Sequence, residues 1–181
     1  MNLAAAAPGW AVTVLLVLLA LAAVEDAVRL RISNLISIAV LVLAFVVVAL
    51  VGPEAALWRN LVVFAATLLV GTMLFSRGAL GGGDVKLLAA TSLWFDFDGA
   101  IRFVICVAMA GGLLALLVLL IRQVSWSDGA RQRVVVLRRR GGIPYGVAIA
   151  AGAAAAIWML HAPEQRNSRP LQNWELPAPQ R

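Results

Sequence analysis

The sequence predicts an all-α, polytopic membrane protein: a helical bundle with about six transmembrane segments. Three observations predict it. Hydrophobic residues make up 62% of the 181-residue chain, charged residues only 13%, and the mean hydropathy is +0.93. A water-soluble domain of this length needs more polar surface than that. The apolar residues also gather into runs of near-spanning length, separated by short charged or glycine-containing breaks. Finally, the runs are continuous rather than alternating, which excludes the strand pattern of an outer-membrane barrel. Helices remain, because their backbone bonds close within each segment.

The first run, 9–26, has no Lys or Arg before it. It lacks the basic n-region of a cleaved signal peptide and reads as a retained span. Runs 34–51 and 57–75 follow. The fourth, 81–95, is short and carries Asp84 and Lys86, so it is expected to be tilted, set low in the bilayer, or only partly spanning. The fifth, 101–121, contains Gly111 and Gly112, a pair expected at a close helix contact. The sixth is 143–161. Together they form one membrane domain over 1–161, with a basic loop at 122–142. Residues 162–181, rich in Pro, Gln, Asn and Arg, read as a polar, disordered tail. Trp10, Trp58, Trp94, Trp126 and Trp158 fall near run ends, where interfacial anchors sit.

The net charge is +6 and the pI about 11.2. The basic residues occupy the breaks between runs and show no interleaving with aromatics, so nucleic acid is excluded as a partner. They read as a topology signal and as contacts to membrane lipid headgroups. Placing the 122–142 loop in the cytoplasm and alternating outward puts nine arginines inside: 122, 131, 133, 138, 139, 140, 29, 31 and 77. Five lie outside (59, 102, 166, 169 and 181), and Lys86 is left uncounted within its span. Both termini then face outward. Cys106 is the single cysteine, set in an apolar run, and reads as an inert buried side chain. His161 ends the last run with no second ligand near it in sequence, so no metal site is expected.

Ionisable groups at membrane depth are expensive, and each needs a reason. Asp26 closes the first run and Asp84 opens the fourth, so the arginine-based topology puts both at the cytoplasmic membrane edge. Two carboxylates meeting there would share a proton, since like charges oppose simultaneous ionisation. One could then activate water while the other polarises a carbonyl. Glu25 is a competing neighbour, but adjacent helical residues point about 100° apart, so only one faces a partner. Asp96 and Asp98 fall on the opposite side and read as solvated loop residues. Lys86 is either a snorkelling anchor or a substrate contact.

Gly81-x-Gly83-Asp84-x-Lys86 resembles the GxGD motif of the type IV prepilin peptidase family. Asp26-Ala27-Val28-Arg29-Leu30-Arg31-Ile32-Ser33-Asn34 is similar to that family's first aspartate motif, D-x-x-x-x-x-I-P-N, with Ser33 in place of proline. Gly142-Ile143-Pro144-Tyr145-Gly146 resembles the P-x-G element that opens the last helix. The three fall in the family's order. The resemblance implies a membrane aspartic endopeptidase of the bacterial inner membrane, with Asp26 and Asp84 catalytic and Gly81, Gly83 and Lys86 supporting the site. It implies no metal and no cofactor. The substrate would be a prepilin with a basic leader and an apolar helix, cut at the cytoplasmic face. The small size resembles the short tight-adherence (Flp) members. The cysteine-paired segment of larger members is missing from the sequence, so no methyltransferase activity is expected. Two rival classes stand beside this: a small ion- or proton-coupled transporter, and an inactive pilus-assembly membrane partner.

Overall fold

A computed structural model describes residues 2–52, 57–123 and 142–161. Among them are seven helices and no strand: α1 (Leu3–Ala6), α2 (Gly9–Arg29), α3 (Asn34–Val51), α4 (Leu57–Ser76), α5 (Gly82–Ser92), α6 (Phe97–Gln123) and α7 (Tyr145–His161). The six predicted runs correspond to α2 through α7; α1 was not predicted. The tail at 162–181, Trp126 and all but the ends of the loop at 122–142 lie outside the described residues.

Four helices, α2, α3, α4 and α6, are long and apolar enough to cross a membrane, and α7 is an apolar helix of 17 residues. The protein is therefore an all-α membrane bundle. The exception is α5, whose 11 residues rise about 16 Å, roughly half of a ~30 Å hydrocarbon core.

A helix that stops short in a bilayer leaves carbonyl groups with no water to bond them. This chain supplies partners from two other elements. The Asn60 side-chain amide on α4 donates to the Leu93 carbonyl at 3.0 Å, and the Ala4 N–H of α1 donates to the Trp94 carbonyl at 3.0 Å. Trp94 is fully buried and its Nε1 donates to the Val40 carbonyl in the middle of α3. The interfacial role predicted for Trp94 is thus corrected: its ring plugs the bundle where α5 ends. Trp10, Trp58 and Trp158 are more than half exposed, as anchors are. Leu3 and Ala4 are buried against the same plug, which gives the four-residue α1 its place.

Phe95 stacks on Phe103 with ring centroids 5.0 Å apart, and α6 begins at Phe97. Asp96, predicted as a solvated loop residue, accepts from the Gly99 N–H at 3.0 Å and caps α6.

The bundle centres on α7, which packs against α6, α2 and α5. Its buried face is made of small residues, including Gly146, Ala148, Gly152, Ala153 and Ala156, the composition that lets helix backbones approach in lipid. The tightest approach is at Gly152, where a Cβ would lie 2.6 Å from the Val107 Cα and N. The glycine pair predicted to mark close packing is only half used. Gly111 faces Ala148, whereas a Cβ on Gly112 would meet nothing within 4 Å.

Gly152→Ala is therefore expected to force α6 and α7 apart. The expected loss is about 1–3 kcal/mol, read as a lowered melting temperature in detergent, while Gly112→Ala melts as wild type.

Candidate active site

Asp26 lies one turn before the end of α2 and is only 4% exposed. The helix closes on Leu30, whose φ of 52° turns the chain sharply while its N–H donates to the Asp26 carbonyl at 2.8 Å. A left-handed leucine costs about 1–2 kcal/mol, so the surroundings must hold it there. The turn delivers Ile32 back into the bundle, 9% exposed.

Ile32 is where three elements meet. A Cβ on Gly83, in the first turn of α5, would lie 3.2 Å from both the Ile32 Cβ and its carbonyl oxygen. A Cβ on Gly146, in the first turn of α7, would lie 2.9 Å from the Ile32 Cδ1 and 2.9 Å from the Asp26 Cβ. Both helices reach the α2–α3 turn only because glycine stands at these positions. At this junction the Gly146 N–H donates to Asp26 Oδ2 at 2.7 Å. The residue before α7, Pro144, has no acceptor side chain to cap it. An aspartate 120 positions away does so instead.

Asp84 stands third in α5 and reaches back to accept from the Gly81 N–H at 3.1 Å through Oδ2. That is the acidic half of a capping box. A Cβ on Gly81 would lie 2.7 Å from that same oxygen, so Gly81 makes the fold-back possible. The other oxygen, Oδ1, is buried with no hydrogen-bond partner among the described residues.

The two acids, 58 positions apart in sequence, line the same cavities. The larger, about 500 Å³, is also lined by Leu30, Leu80, Arg122, Ile143 and Tyr145. The smaller, about 190 Å³, runs under Ile32 and Gly81, Gly82 and Gly83. Asp84 also borders a third space of about 270 Å³, which is mainly apolar.

Of the other predicted residues, Gly81 and Gly83 lie at the acids, as described. Lys86 does not: it projects from the far side of α5, its Nζ donates to Asn34 Oδ1 at 2.9 Å, and it lines a separate apolar cavity between α3, α4 and α5. Glu25 faces away from the acids. Its Oε2 accepts from the Ser33 N–H at 2.9 Å and its Oε1 lies 3.9 Å from Arg29. Ser33 has a φ of −64°, the angle a proline would hold, and its Oγ accepts from Leu35 N at 3.2 Å to cap α3. Serine at this position keeps the turn's backbone shape and adds two hydrogen bonds.

Sequence reasoning did not single out two other residues that line the larger cavity. Tyr145 lies inside the P-x-G element and could have been found there. Arg122, counted only as a topology charge, sits at the end of α6 with Nη2 donating to the Gly142 carbonyl at 3.1 Å. No local pattern marks it.

A model of the type IV leader peptidase family matches residues 13–122, and the chain belongs to that family. It is a membrane peptidase with a protein substrate. No curated protein and no solved structure matches the chain significantly. The matched region holds both acids and ends before Gly146, so the contact of Gly146 with Asp26 is a finding of the structure.

Gly146→Ala places a methyl group at 2.9 Å from the Asp26 Cβ and 3.0 Å from its Oδ2. Leader removal by this variant is expected to fall about 100-fold in a precursor-processing assay, through displacement of the Asp26 carboxylate.

Proposed function

We propose that the protein is an aspartic endopeptidase in which Asp26 and Asp84 act as one pair, removing the leader of type IV or Flp-like prepilins. The observation that carries this is the shared cavity. Two nearly buried carboxylates on separate helices face one space, and neither is engaged with a cation in any hydrogen bond or ion pair seen among the described residues.

The chemistry follows from their proximity. A carboxylate pair holding one proton between them can bind a water molecule. The ionised member takes a proton from that water as it attacks the scissile carbonyl, while the protonated member donates to the carbonyl oxygen. Collapse of the tetrahedral intermediate then returns a proton to the leaving amine. Each acid keeps its backbone N–H partner throughout, and those bonds fix where the oxygens point. Gly81 and Gly83 support Asp84 by letting it fold back and letting α5 approach Ile32. Lys86 supports it from the other side, tying α5 to the start of α3 through Asn34.

The arginine distribution supports cleavage at the cytoplasmic face of the bacterial inner membrane, with both termini outside. The basic leader of the substrate would lie on the same side as the acids, and its apolar helix within the bilayer. An ion relay fits less well, because Asp26 ends a helix and Asp84 begins one, whereas coupling sites in transporters sit near the midplane.

In cells co-expressing a pilin precursor, Asp26→Asn and Asp84→Asn are each expected to reduce leader removal by about 1,000-fold or more, read as precursor size. Glu25→Gln should retain most processing, since Glu25 serves the Ser33 turn and not the cavity. Intact processing in either asparagine variant overturns the proposal.

A further inference from the structure

The most exposed span in the bundle is α6, with only 6% of its hydrophobic window buried. It packs on α7 and stands away from α5. The space between is the apolar cavity of about 270 Å³ that Asp84 borders, walled by Leu88 of α5 and by Ala108, Gly112 and Ala115 of α6. Because α5 stops early, the seam continues past its end as a second cavity of about 530 Å³ between α4 and α6, lined by Ile101, Val104 and Ile105. These six α6 residues follow the i, i+3, i+4, i+7 pattern of a single helix face. From Gly112 to Ile101 that face rises about 16 Å. It is small beside the acid and bulky farther on, the shape that lets a helix approach closely at one end. At its small end, Asp84 borders the space.

We infer that this seam is the docking surface for the apolar helix of the substrate, laid along α6 so that the chain just before it crosses the two acids. The inference rests on the peptidase assignment of Asp26 and Asp84 and adds the surface that holds the substrate. The occupant is argued from continuity. The groove leads from the carboxylate pair along the hydrophobic length of the bundle, and a peptide cut at the pair must leave its adjoining segment somewhere. An apolar helix is the segment that a groove with no charged residue beyond Asp84, inside a bilayer, accepts.

The test uses the intact protein in liposomes with a full-length pilin precursor. A photo-crosslinking amino acid is placed at Ile105 in the seam and, as control, at Phe45, an exposed residue of α3 that lines none of the cavities described above. A crosslink to the precursor at Ile105 and none at Phe45 is expected. Crosslinks at Phe45 alone, at both sites equally, or at neither overturn the seam. A second measurement uses Gly112→Leu, where an added Cβ has nothing within 4 Å and the rest of the side chain extends into the groove. KM for the precursor should rise about tenfold with kcat near wild type. A fall in kcat with KM unchanged overturns the inference. Failure of the acid-pair assignment would be seen separately, as precursor processing by the asparagine variants while the Ile105 crosslink persists.

Discussion

The arrangement of the site depends on one hydrogen bond, from the Gly146 N–H to Asp26 Oδ2 at 2.7 Å. It joins the end of α2 to the start of α7 across nearly the whole membrane domain. The bond satisfies a helix donor that Pro144 cannot cap, and it holds a carboxylate that lipid surroundings would otherwise penalise. It forms only because Gly146 brings no side chain to the contact. The same holds for Gly83, which brings α5 onto the backbone of Ile32. Remove either approach and the cavity shared by Asp26 and Asp84 loses a wall.

A second constraint sets where α5 ends. In water, a helix of 11 residues could end on solvent; in a bilayer each unmet carbonyl costs several kcal/mol. Asn60 meets the Leu93 carbonyl, Ala4 meets the Trp94 carbonyl, and the Trp94 indole turns inward to Val40. Interhelical bonds of this kind contribute about 0.6–2 kcal/mol each in membranes. The N-terminal turn is thus part of the core. Its fully buried Leu3 and Ala4 fill volume that a full-length fourth span would have occupied.

Much of this was legible in the sequence, for reasons that differ by residue. The long spans were legible because bilayer thickness imposes a length on apolar runs. The acids were legible because charge at membrane depth is rare, and Gly81 and Gly83 because three successive glycines before an aspartate mark a close approach. What escaped depended on contacts between distant segments. Nothing near Trp94 says that its indole will find Val40, and nothing in Leu3–Ala6 says that this short helix will cap a shortened span. Gly111 and Gly112 looked alike, and only the position of Ala148 separates them. Glu25 and Asp26 were separable by helical angle in principle. Deciding between them required the Leu30 turn, which sends Glu25 toward Ser33 and leaves Asp26 inside.

The short helix and the acid pair are connected through α6. A fourth helix of full length would lie along α6 and bury its Phe97–Ala115 face against a permanent neighbour. Ending at Ser92, α5 borders α6 across the space beside Asp84, and beyond that point α4 and α6 face each other across an open cavity. The plug of Trp94, Phe95 and α1 seals the interior that the early stop exposes, packing on α3, α7 and the Phe103 side of α6, and leaves the Ile101, Val104 and Ile105 face of α6 apolar and exposed. The truncation therefore combines two properties that the proposed cleavage of a membrane-anchored chain requires. Asp84 is held by its own helix terminus, and one flank of that helix borders a cavity that the described residues leave open.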